Sequence, residues 1–313
     1  MLTKKYILNA RDRLPISCAV FEAEQAQGTL QIIHGLKGHK ERFYEFAAAM
    51  QAAGFNVVLA DLRGHGASIN EAYPLGHMSG WRIMREDIAR VSRFALKKYG
   101  GPLYIFAHSF GSILARLSLD KYGDLPQKLV LAGPLPYALW SSVIVPPLKL
   151  ICLLQGSKKT FGLLQKVGGQ KDLSWVNADA AVLEEMKKDP LSSGVLTNGG
   201  YYTFCDSIRA LRGHPAAQDS LTARLRGGLA SLFRKKSAAP GAGYDLPILI
   251  IAGGKDPKTG GKRGLKRTEA RLRQAGYADI RQIVYPDLKH ETINSLHKEE
   301  VWADIAAFLK NYA

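Results

Sequence analysis

The chain has 313 residues, of which 46% are hydrophobic and 22% charged, with 31 glycines and 14 prolines. This ordinary globular usage excludes the disordered, collagen-like and coiled-coil classes. The length exceeds that of a usual domain, about 100 to 200 residues, but one large α/β sheet protein still fits. The 43 Lys and Arg against 27 Asp and Glu give a net charge of +16, which favours anionic partners of any kind.

The three cysteines, Cys18, Cys152 and Cys205, lie far apart and form no CxxC pair. An odd number cannot close a disulfide framework, so we expect a reducing compartment. The N-terminal residues show no apolar run of signal-peptide length, and we predict a cytoplasmic location. The apolar stretch 135–154 contains three prolines and Lys149, which argues against a transmembrane helix.

The first part of the chain alternates β-rich runs with amphipathic stretches. Strands are predicted at KKYILNA, PISCAVFEA, TLQIIHG, FNVVLAD, PLYIFAH and KLVLAGP, and helices over 41–53, 83–99 and 110–121. Such alternation across short turns is typical of crossover units. We therefore predict the α/β class, with a mostly parallel central sheet flanked by helices.

This alternation stops after Pro134 and restarts at the strand PILIIAGG, which begins at Pro247. The residues between are helix-like, punctuated by glycine and basic. We therefore predict an inserted helical cap over 135–245, and a core made of 1–134 and 246–313. The chain then continues with a helix over 265–275, the strand IRQIVYPD, a turn through His290 and a final helix over 296–309.

The pentapeptide Ala107-His108-Ser109-Phe110-Gly111 follows an apolar β run and opens a helical pattern. That strand–turn–helix context is the one a nucleophile elbow requires. The turn needs small residues two positions before and after the serine, a condition that Gly111 meets and Ala107 approximates. Ser109 is the candidate nucleophile, although a serine at such a turn can instead be a helix N-cap.

A serine nucleophile needs a base and an orienting carboxylate, which in this arrangement follow in the order Ser, Asp or Glu, His. Asp256 follows the strand PILIIAGG, at the sheet edge where ligand-facing groups lie, and is the candidate acid. A plain turn aspartate before Pro257 is the alternative, and Asp287 is the alternate acid. His290, in the turn after the last strand, is the candidate base.

Two backbone N–H groups, those of Leu36 and Phe110, are candidates for an oxyanion hole. Phe110 directly follows the serine, and Gly35 lets the chain turn after the strand TLQIIHG so that Leu36 faces the cavity. His34 and His39 have no nearby Cys or compact Asp/His cluster, so we predict no metal site. We expect structural or solvated roles for His65, His77, His108, His214 and His297.

Several segments together resemble the α/β-hydrolase family of lysophospholipases and monoacylglycerol lipases. They are IHGLKGH at 33–39, DLRGHGAS at 61–68, the Ser109 elbow, DPLSSG at 189–194, GKDP at 254–257 and KHETIN at 289–294. The resemblance implies the α/β-hydrolase fold, with Ser109, Asp256 and His290 as nucleophile, acid and base, and with Leu36 and Phe110 as the oxyanion donors. This chain has Gly38 where the family usually has Glu, and Ala107 where the family usually has Gly. Neither position belongs to the reacting groups, so both differences leave those groups in place.

The predicted cap is strongly basic. Residues 140–240 carry 14 Lys and Arg against 7 Asp and Glu. Leucines recur at near-helical spacing among basic residues, at Leu221, Leu225, Leu229 and Leu232, which suits a helix on an anionic membrane surface. An ordinary cap helix is the alternative, since Gly227 and Gly228 weaken helicity. No nucleic-acid-binding module accompanies the charge, so we expect no nucleic-acid partner.

The predicted function is therefore a serine hydrolase that cleaves carboxylic esters of lipid-like substrates, lysophospholipid or monoacylglycerol, without metal or organic cofactor. Peripheral contact with an anionic membrane through the basic cap accompanies this prediction. The stretch 135–154 either lines an acyl-chain tunnel or packs in the core. The alternatives are a short-chain carboxylesterase or peptidase of the same fold, and a non-catalytic ligand-binding homologue. The sequence does not indicate the oligomeric state.

Overall fold

The molecule is built on an eight-stranded sheet, seen in a computed structural model that describes residues 2–168, 172–192, 195–213 and 245–310. The strand order is β1-β2-β4-β3-β5-β6-β7-β8. In chain order the strands are β1 Lys4–Asn9, β2 Pro15–Phe21, β3 Thr29–Ile33, β4 Asn56–Ala60, β5 Leu103–His108, β6 Lys128–Ala132, β7 Ile248–Gly253 and β8 Ile280–Tyr285.

The sheet is parallel except at one edge, where β1 pairs antiparallel with β2 and β2 antiparallel with β4. From β4 to β8 every pairing is parallel. Strands β3, β5, β6 and β7 are buried along their whole length, as expected when helices cover both faces of a parallel sheet. The predicted α/β class and mostly parallel sheet are confirmed.

Helices cover both faces of this sheet, and four of them lie among the described residues between β6 and β7. They are α1 Tyr44–Ala52, α2 Trp81–Tyr99, α3 Phe110–Tyr122, α4 Trp140–Gln155, α5 Gly162–Gly168, α6 Ala180–Lys188, α7 Asn198–Ala210, α8 Gly261–Gln274 and α9 Lys298–Lys310. Short 3-10 turns occupy Lys40–Phe43, Leu211–Gly213 and Thr292–Asn294. The predicted helices differ from these by only a few residues at their ends.

Apolar clusters on both faces of the sheet hold the layers together. On one face, α1 and α9 pack on the sheet through residues such as Phe46 and Ile305. On the other face, α2, α3 and α8 pack through residues such as Ile88, Ile113 and Leu265, and the same cluster continues into α4 and α7. Helices α4 and α7 therefore lie over the face of the sheet that carries α3. The domain boundaries at 134/135 and 245/246 stay a prediction.

Helix α4 continues through two of the three prolines in the stretch 135–154. Pro146 and Pro147 lie inside the helix, and both are exposed. A proline removes one backbone donor and frees a carbonyl one turn earlier, which costs least on a face turned toward solvent. The stretch also fits neither of its predicted roles completely, because Val145 and Leu148 are buried whereas Leu150 is exposed.

No helix in the described part of the chain combines the length and the apolar character that a membrane crossing requires. The leucines at 221, 225, 229 and 232 lie outside the described residues, so their predicted helix is not tested. His214 also lies outside them.

Candidate active site

Ser109 lies in a sharp turn between the last residue of β5 and the first residue of α3. Its φ is +52°, a left-handed conformation that non-glycine residues rarely adopt. The backbone is held there by two hydrogen bonds, from Ser109 N–H to the Ala132 carbonyl (2.9 Å) and from Ser112 N–H to the Ser109 carbonyl (3.0 Å). The strain projects the serine side chain out of the regular strand and helix geometry.

Close packing around the turn explains the small residues near the serine. A Cβ atom at Gly111 would lie 2.6 Å from the Ile33 carbonyl oxygen and 2.7 Å from that of His34. Both distances are too short for a side chain, so α3 approaches the end of β3 only because residue 111 is glycine. A Cβ at Gly35 would lie 3.1 Å from the Ser109 Cβ, which shows that the loop after β3 passes directly beside the serine.

A continuous chain of hydrogen bonds joins Ser109, His290 and Asp256. The Ser109 Oγ lies 2.8 Å from His290 Nε2, and His290 Nδ1 lies 2.7 Å from Asp256 Oδ2. The other Asp256 oxygen accepts the Lys258 backbone N–H at 2.7 Å. The side chains of Asp256 and His290 are 0% and 4% exposed, so the pair is shielded from water. A carboxylate at Nδ1 holds the proton there and leaves Nε2 free to accept a proton from the serine.

Two of the alternatives raised for these positions, Ser109 as a helix N-cap and Asp287 as the acid, are not seen in the geometry. Among the described residues, Ser109 makes no side-chain capping bond to α3, so its hydroxyl is engaged by His290 instead. Asp287, the alternate acid, is an exposed residue whose carboxylate pairs with Lys255 at 2.8 Å. It is Asp256, not Asp287, that the structure brings to the imidazole.

The loop after β3, which carries Leu36, is held at its far end by one ion pair and one further side-chain hydrogen bond. Lys40 donates to Asp61 through both its backbone N–H (2.7 Å) and its Nζ (2.6 Å), and both side chains are buried. His39 Nε2 lies 2.6 Å from Asp189 Oδ2, on the segment after α6. These contacts support the loop in a chain that has Gly38 where the family it resembles usually has Glu.

Two of the remaining histidines are structural. His34 Nε2 accepts the Leu62 N–H at 2.8 Å, and its Nδ1 lies 2.8 Å from the Gly35 carbonyl oxygen. Burial, with a smaller contribution from His65, lowers the pKa of His34 to about 3, so this imidazole is neutral. His65 bonds locally, through Nδ1 to the Arg63 carbonyl at 3.0 Å. The described residues contain no group of three or more His, Cys, Asp or Glu that could hold a metal.

The cap segment 174–177, to which no local sequence motif points, holds the loop that carries His290. The Trp175 and Val176 carbonyls accept the backbone N–H groups of His290 (3.4 Å) and Glu291 (2.9 Å). The Trp175 indole lies 5.0 Å from the His290 ring, measured between ring centres, and the His108 ring lies 4.9 Å from it. The imidazole is therefore in contact with two rings, one of them supplied by the cap.

The same loop is also held by an ion pair that is largely shielded from water. Arg42 Nη2 donates to Glu291 Oε2 at 2.7 Å, and the two side chains are 12% and 11% exposed. Burial by itself raises the pKa of Glu291, but the charge of Arg42 and smaller contributions outweigh it, so the pKa lies below its ordinary value. Glu291 is therefore charged and paired at neutral pH.

Comparison with known proteins places the chain among α/β-hydrolases. The family model described as serine aminopeptidase, S33, matches residues 24–297. A monoacylglycerol lipase of Mycolicibacterium smegmatis is 24% identical over 91% of this chain and 89% of its own length. A probable lysophospholipase L2 of Haemophilus influenzae is 27% identical over 46% of this chain and 47% of its own length.

Two of the relatives match this chain over only part of their length. The match to an uncharacterized abhydrolase domain-containing protein of Dictyostelium discoideum, 28% identical, spans 55% of this chain but only 17% of that protein. The match to the Haemophilus protein spans about half of each chain. The Mycolicibacterium enzyme is aligned over nearly its whole length.

Solved structures with this fold cover the whole chain. A thermostable carboxyl esterase from Bacillus coagulans superposes with a TM-score of 0.81 at 21% identity, over 99% of this chain and 98% of that one. A soluble variant of monoglyceride lipase from Saccharomyces cerevisiae superposes with a TM-score of 0.72 at 16% identity, over 99% and 96%. The predicted α/β-hydrolase fold and the resemblance to lipases and lysophospholipases are confirmed.

Proposed function

Because the chain belongs to the serine aminopeptidase S33 family of α/β-hydrolases, we propose that it cleaves carboxylic esters of lipid-like substrates through an acyl-enzyme. Ser109 is the nucleophile in this proposal, His290 the base and Asp256 the acid that orients it. The observation that carries the proposal is the hydrogen-bonded chain from Ser109 Oγ through His290 to the shielded Asp256 carboxylate.

The first half-reaction follows from this geometry. His290 Nε2 takes the Ser109 proton as Oγ attacks the ester carbonyl carbon, and Asp256 stabilises the imidazolium that forms. The carbonyl π electrons move to oxygen, and the backbone N–H groups of Leu36 and Phe110 hold the resulting oxyanion. Collapse of the tetrahedral intermediate breaks the bond to the alcohol oxygen, which receives the proton from His290. Water then repeats the sequence on the acyl-enzyme and releases the fatty acid.

The lipid-like substrate class rests on relatives and on the apolar surroundings of the elbow. The Mycolicibacterium and Haemophilus relatives are named for monoacylglycerol and lysophospholipid chemistry. Phe110 contacts Phe204 of α7 at 5.7 Å between ring centres, and Leu36 and Ile151 are partly buried in the same apolar cluster. An acyl chain bound beside Ser109 would meet these side chains.

A fluorophosphonate probe tests the nucleophile. We expect mass spectrometry to locate one adduct on Ser109 in the purified protein, and no adduct in the Ser109→Ala chain. Turnover of the ester in that variant should fall by about four to six orders of magnitude, since the remaining groups cannot form an acyl-enzyme. An unlabelled but folded protein would support the non-catalytic ligand-binding homologue instead.

A substrate series separates the ester classes from one another and from peptides. We expect kcat/KM to rise with acyl length across glycerol and lysophospholipid monoesters. The highest value on short acyl chains would indicate a short-chain carboxylesterase. The family description makes a peptidase the second candidate, and hydrolysis of aminoacyl anilides in preference to esters would establish it. An aminopeptidase needs a carboxylate for the substrate amine, whereas Asp256 and Glu291 are both already engaged.

Contact of the basic cap with an anionic membrane is also part of the proposal, as is a cytoplasmic location. The membrane contact is supported by the charge of residues 140–240, which carry 14 Lys and Arg against 7 Asp and Glu. Vesicle binding by the protein with and without residues 220–238 measures the part played by that segment. Equal binding would remove the segment from the proposal.

A further inference from the structure

Two lysines on the loop after β7 have different surroundings. Lys255 is 58% exposed and pairs with Asp287 at 2.8 Å. Lys258 follows Asp256 by two residues and is half-buried, and among the described residues its Nζ makes no hydrogen bond and no ion pair. Burial lowers the pKa of Lys258, and the charge of Asp256 offsets only part of this effect. The Lys258 ammonium therefore loses hydration without gaining an acceptor.

The Lys258 ammonium lies close to the residues of the proposed mechanism. Its Nζ is 4.5 Å from the centre of the Trp175 ring. The Trp175 ring is in turn 5.0 Å from the His290 ring, measured between ring centres. The face of an aromatic ring attracts the charge of an ammonium but has no oxygen to accept its hydrogen bonds. The N–H donors of Lys258 are therefore open to a bound group, one ring away from the imidazole.

The indole N–H of Trp175 is a second donor without an acceptor at this place. The Trp175 Nε1 atom is buried, and no described residue accepts its hydrogen bond. An indole N–H can only donate, so nothing but an acceptor can satisfy it. Buried donors are nearly always paired. A buried donor that lacks a protein acceptor and belongs to a ring packed on His290 therefore points to an acceptor on a ligand.

A phosphate group matches this pair of donors. It is negatively charged and has several acceptor oxygens, so it can accept from an ammonium and from an indole N–H together. A lysophospholipid carries such a phosphate on the glycerol whose ester is cleaved, whereas a monoacylglycerol has only neutral hydroxyls there. The fatty acid product is also an anion, but its carboxyl carbon is the one that Ser109 attacks, so its charge lies at the nucleophile itself.

We propose that Lys258 and the Trp175 N–H bind the phosphate of a lysophospholipid headgroup. Lys258 is then the residue that selects phosphate-bearing esters over neutral monoacylglycerols. This inference rests on the proposed function and deepens it, because it chooses between two substrate classes by the chemistry of the headgroup. The alcohol released when the acyl group passes to Ser109 is then a glycerophosphate.

Ligand binding to the Ser109→Ala chain tests this selection without turnover. The ligands are lauroyl lysophosphatidate and monolauroylglycerol, titrated by calorimetry below their micelle concentrations. We expect this chain to bind the lysophosphatidate more tightly. The further change Lys258→Gln should lower the ratio of the two affinities about tenfold, because a charge-assisted hydrogen bond to the phosphate is lost. Lys258→Arg keeps the charge and should keep most of the preference. Trp175→Phe keeps the ring and removes the N–H donor, so it should lower the ratio about threefold.

Lys255→Gln is the matched control. It removes the same charge from the same loop, at an exposed position paired with Asp287, and should leave the ratio of affinities unchanged. Inorganic phosphate in large excess distinguishes a lipid headgroup from a free anion, and we expect it not to displace the lysophosphatidate. In chains that keep Ser109, the ratio of kcat/KM for the two esters should fall in Lys258→Gln as the ratio of affinities does.

Three results would overturn the inference. One is an unchanged ratio of affinities in Lys258→Gln, which, if both ligands bind more weakly, would mean that the lysine only supports Trp175. Another is an equal fall of the ratio in Lys255→Gln, which would assign the effect to net charge. The third is displacement by inorganic phosphate, which would assign the donors to a free anion. Hydrolysis of neither ester by the chain that keeps Ser109 would defeat the proposed function, whereas hydrolysis of both together with the first result would defeat this inference alone.

Discussion

At the scale of single residues, the strained turn at Ser109 depends on two neighbouring glycines, which have no Cβ atom. The Gly111 Cα faces the carbonyl oxygens at the end of β3, and Gly35 faces the Ser109 Cβ. These two glycines let a strand, a helix and a loop converge on one hydroxyl. The family usually has glycine at position 107 as well, but Ala107 lies within β5 and is fully buried, so its methyl group is accommodated.

Gly111→Ala tests this packing. The added methyl group would lie 2.6 Å from the Ile33 carbonyl oxygen, so α3 must shift away from β3. We expect a loss of about 1 to 3 kcal/mol in the free energy of unfolding, measured with urea. We expect fluorophosphonate labelling to fall by a larger fraction than the free energy of unfolding does. Gly162→Ala, where an added Cβ meets no atom within 4 Å, is the matched control. Unchanged labelling in Gly111→Ala would show that the turn tolerates the shift.

At the scale of elements, the cap segment 174–177 acts as a brace for the loop 289–294. Beyond the two backbone bonds to His290 and Glu291, Lys289 donates to the Ser174 carbonyl and Asn177 donates to that of Asn294 at 2.9 Å. Trp175 adds ring contact with the imidazole itself. The segment therefore positions His290 in addition to covering it.

Trp175→Ala should lower kcat about tenfold on a soluble ester with little change in KM, because the base loses its brace while the substrate keeps its contacts. Trp175→Phe should restore most of the rate, since a ring again packs on His290. Trp140→Ala, an exposed tryptophan on α4, is the control and should leave both constants unchanged. A rise in KM alone would mean that Trp175 binds substrate and does not position the base.

The same elements show which parts of the molecule the sequence could predict. Strand and helix positions follow from hydrophobic periodicity, and Ser109, Asp256 and His290 follow from local motifs, so their approach in space was expected. Trp175 could not be found in this way, because it meets His290 across 115 positions of sequence and carries no local signal. The continuity of α4 through Pro146 and Pro147 depends on which face is exposed, which periodicity alone does not reveal.

At the scale of the whole molecule, buried neutral histidines link stability to pH. His34 and His108 are fully enclosed, and burial lowers their pKa values to about 3 and about 4. In the unfolded chain both regain a value of about 6.5. Below that pH the unfolded state binds protons that the folded state does not, so the free energy of unfolding falls as the pH falls.

We therefore expect the free energy of unfolding, measured with urea, to have its full value above about pH 7 and to fall progressively between about pH 6.5 and 4. Each of the two histidines contributes up to about 1.4 kcal/mol per pH unit to this slope. His108→Asn should remove the contribution of one proton from this slope, up to about 1.4 kcal/mol per pH unit, whatever its effect on the free energy of unfolding at pH 8. His297→Gln, at an exposed position, should leave the slope unchanged. Parallel curves for the parent and His108→Asn would exclude His108 as a source.

The wide separation of Ser109 and His290 also bears on synthesis of the protein. Their hydrogen bond joins residues 181 positions apart, and β7 and β8 enter the sheet only after the whole insertion. Such distant pairings form late, because loop closure must precede them. In the proposed mechanism, a chain still on the ribosome therefore has Ser109 without its base, and it cannot form an acyl-enzyme until the segment that carries His290 has been released and has folded.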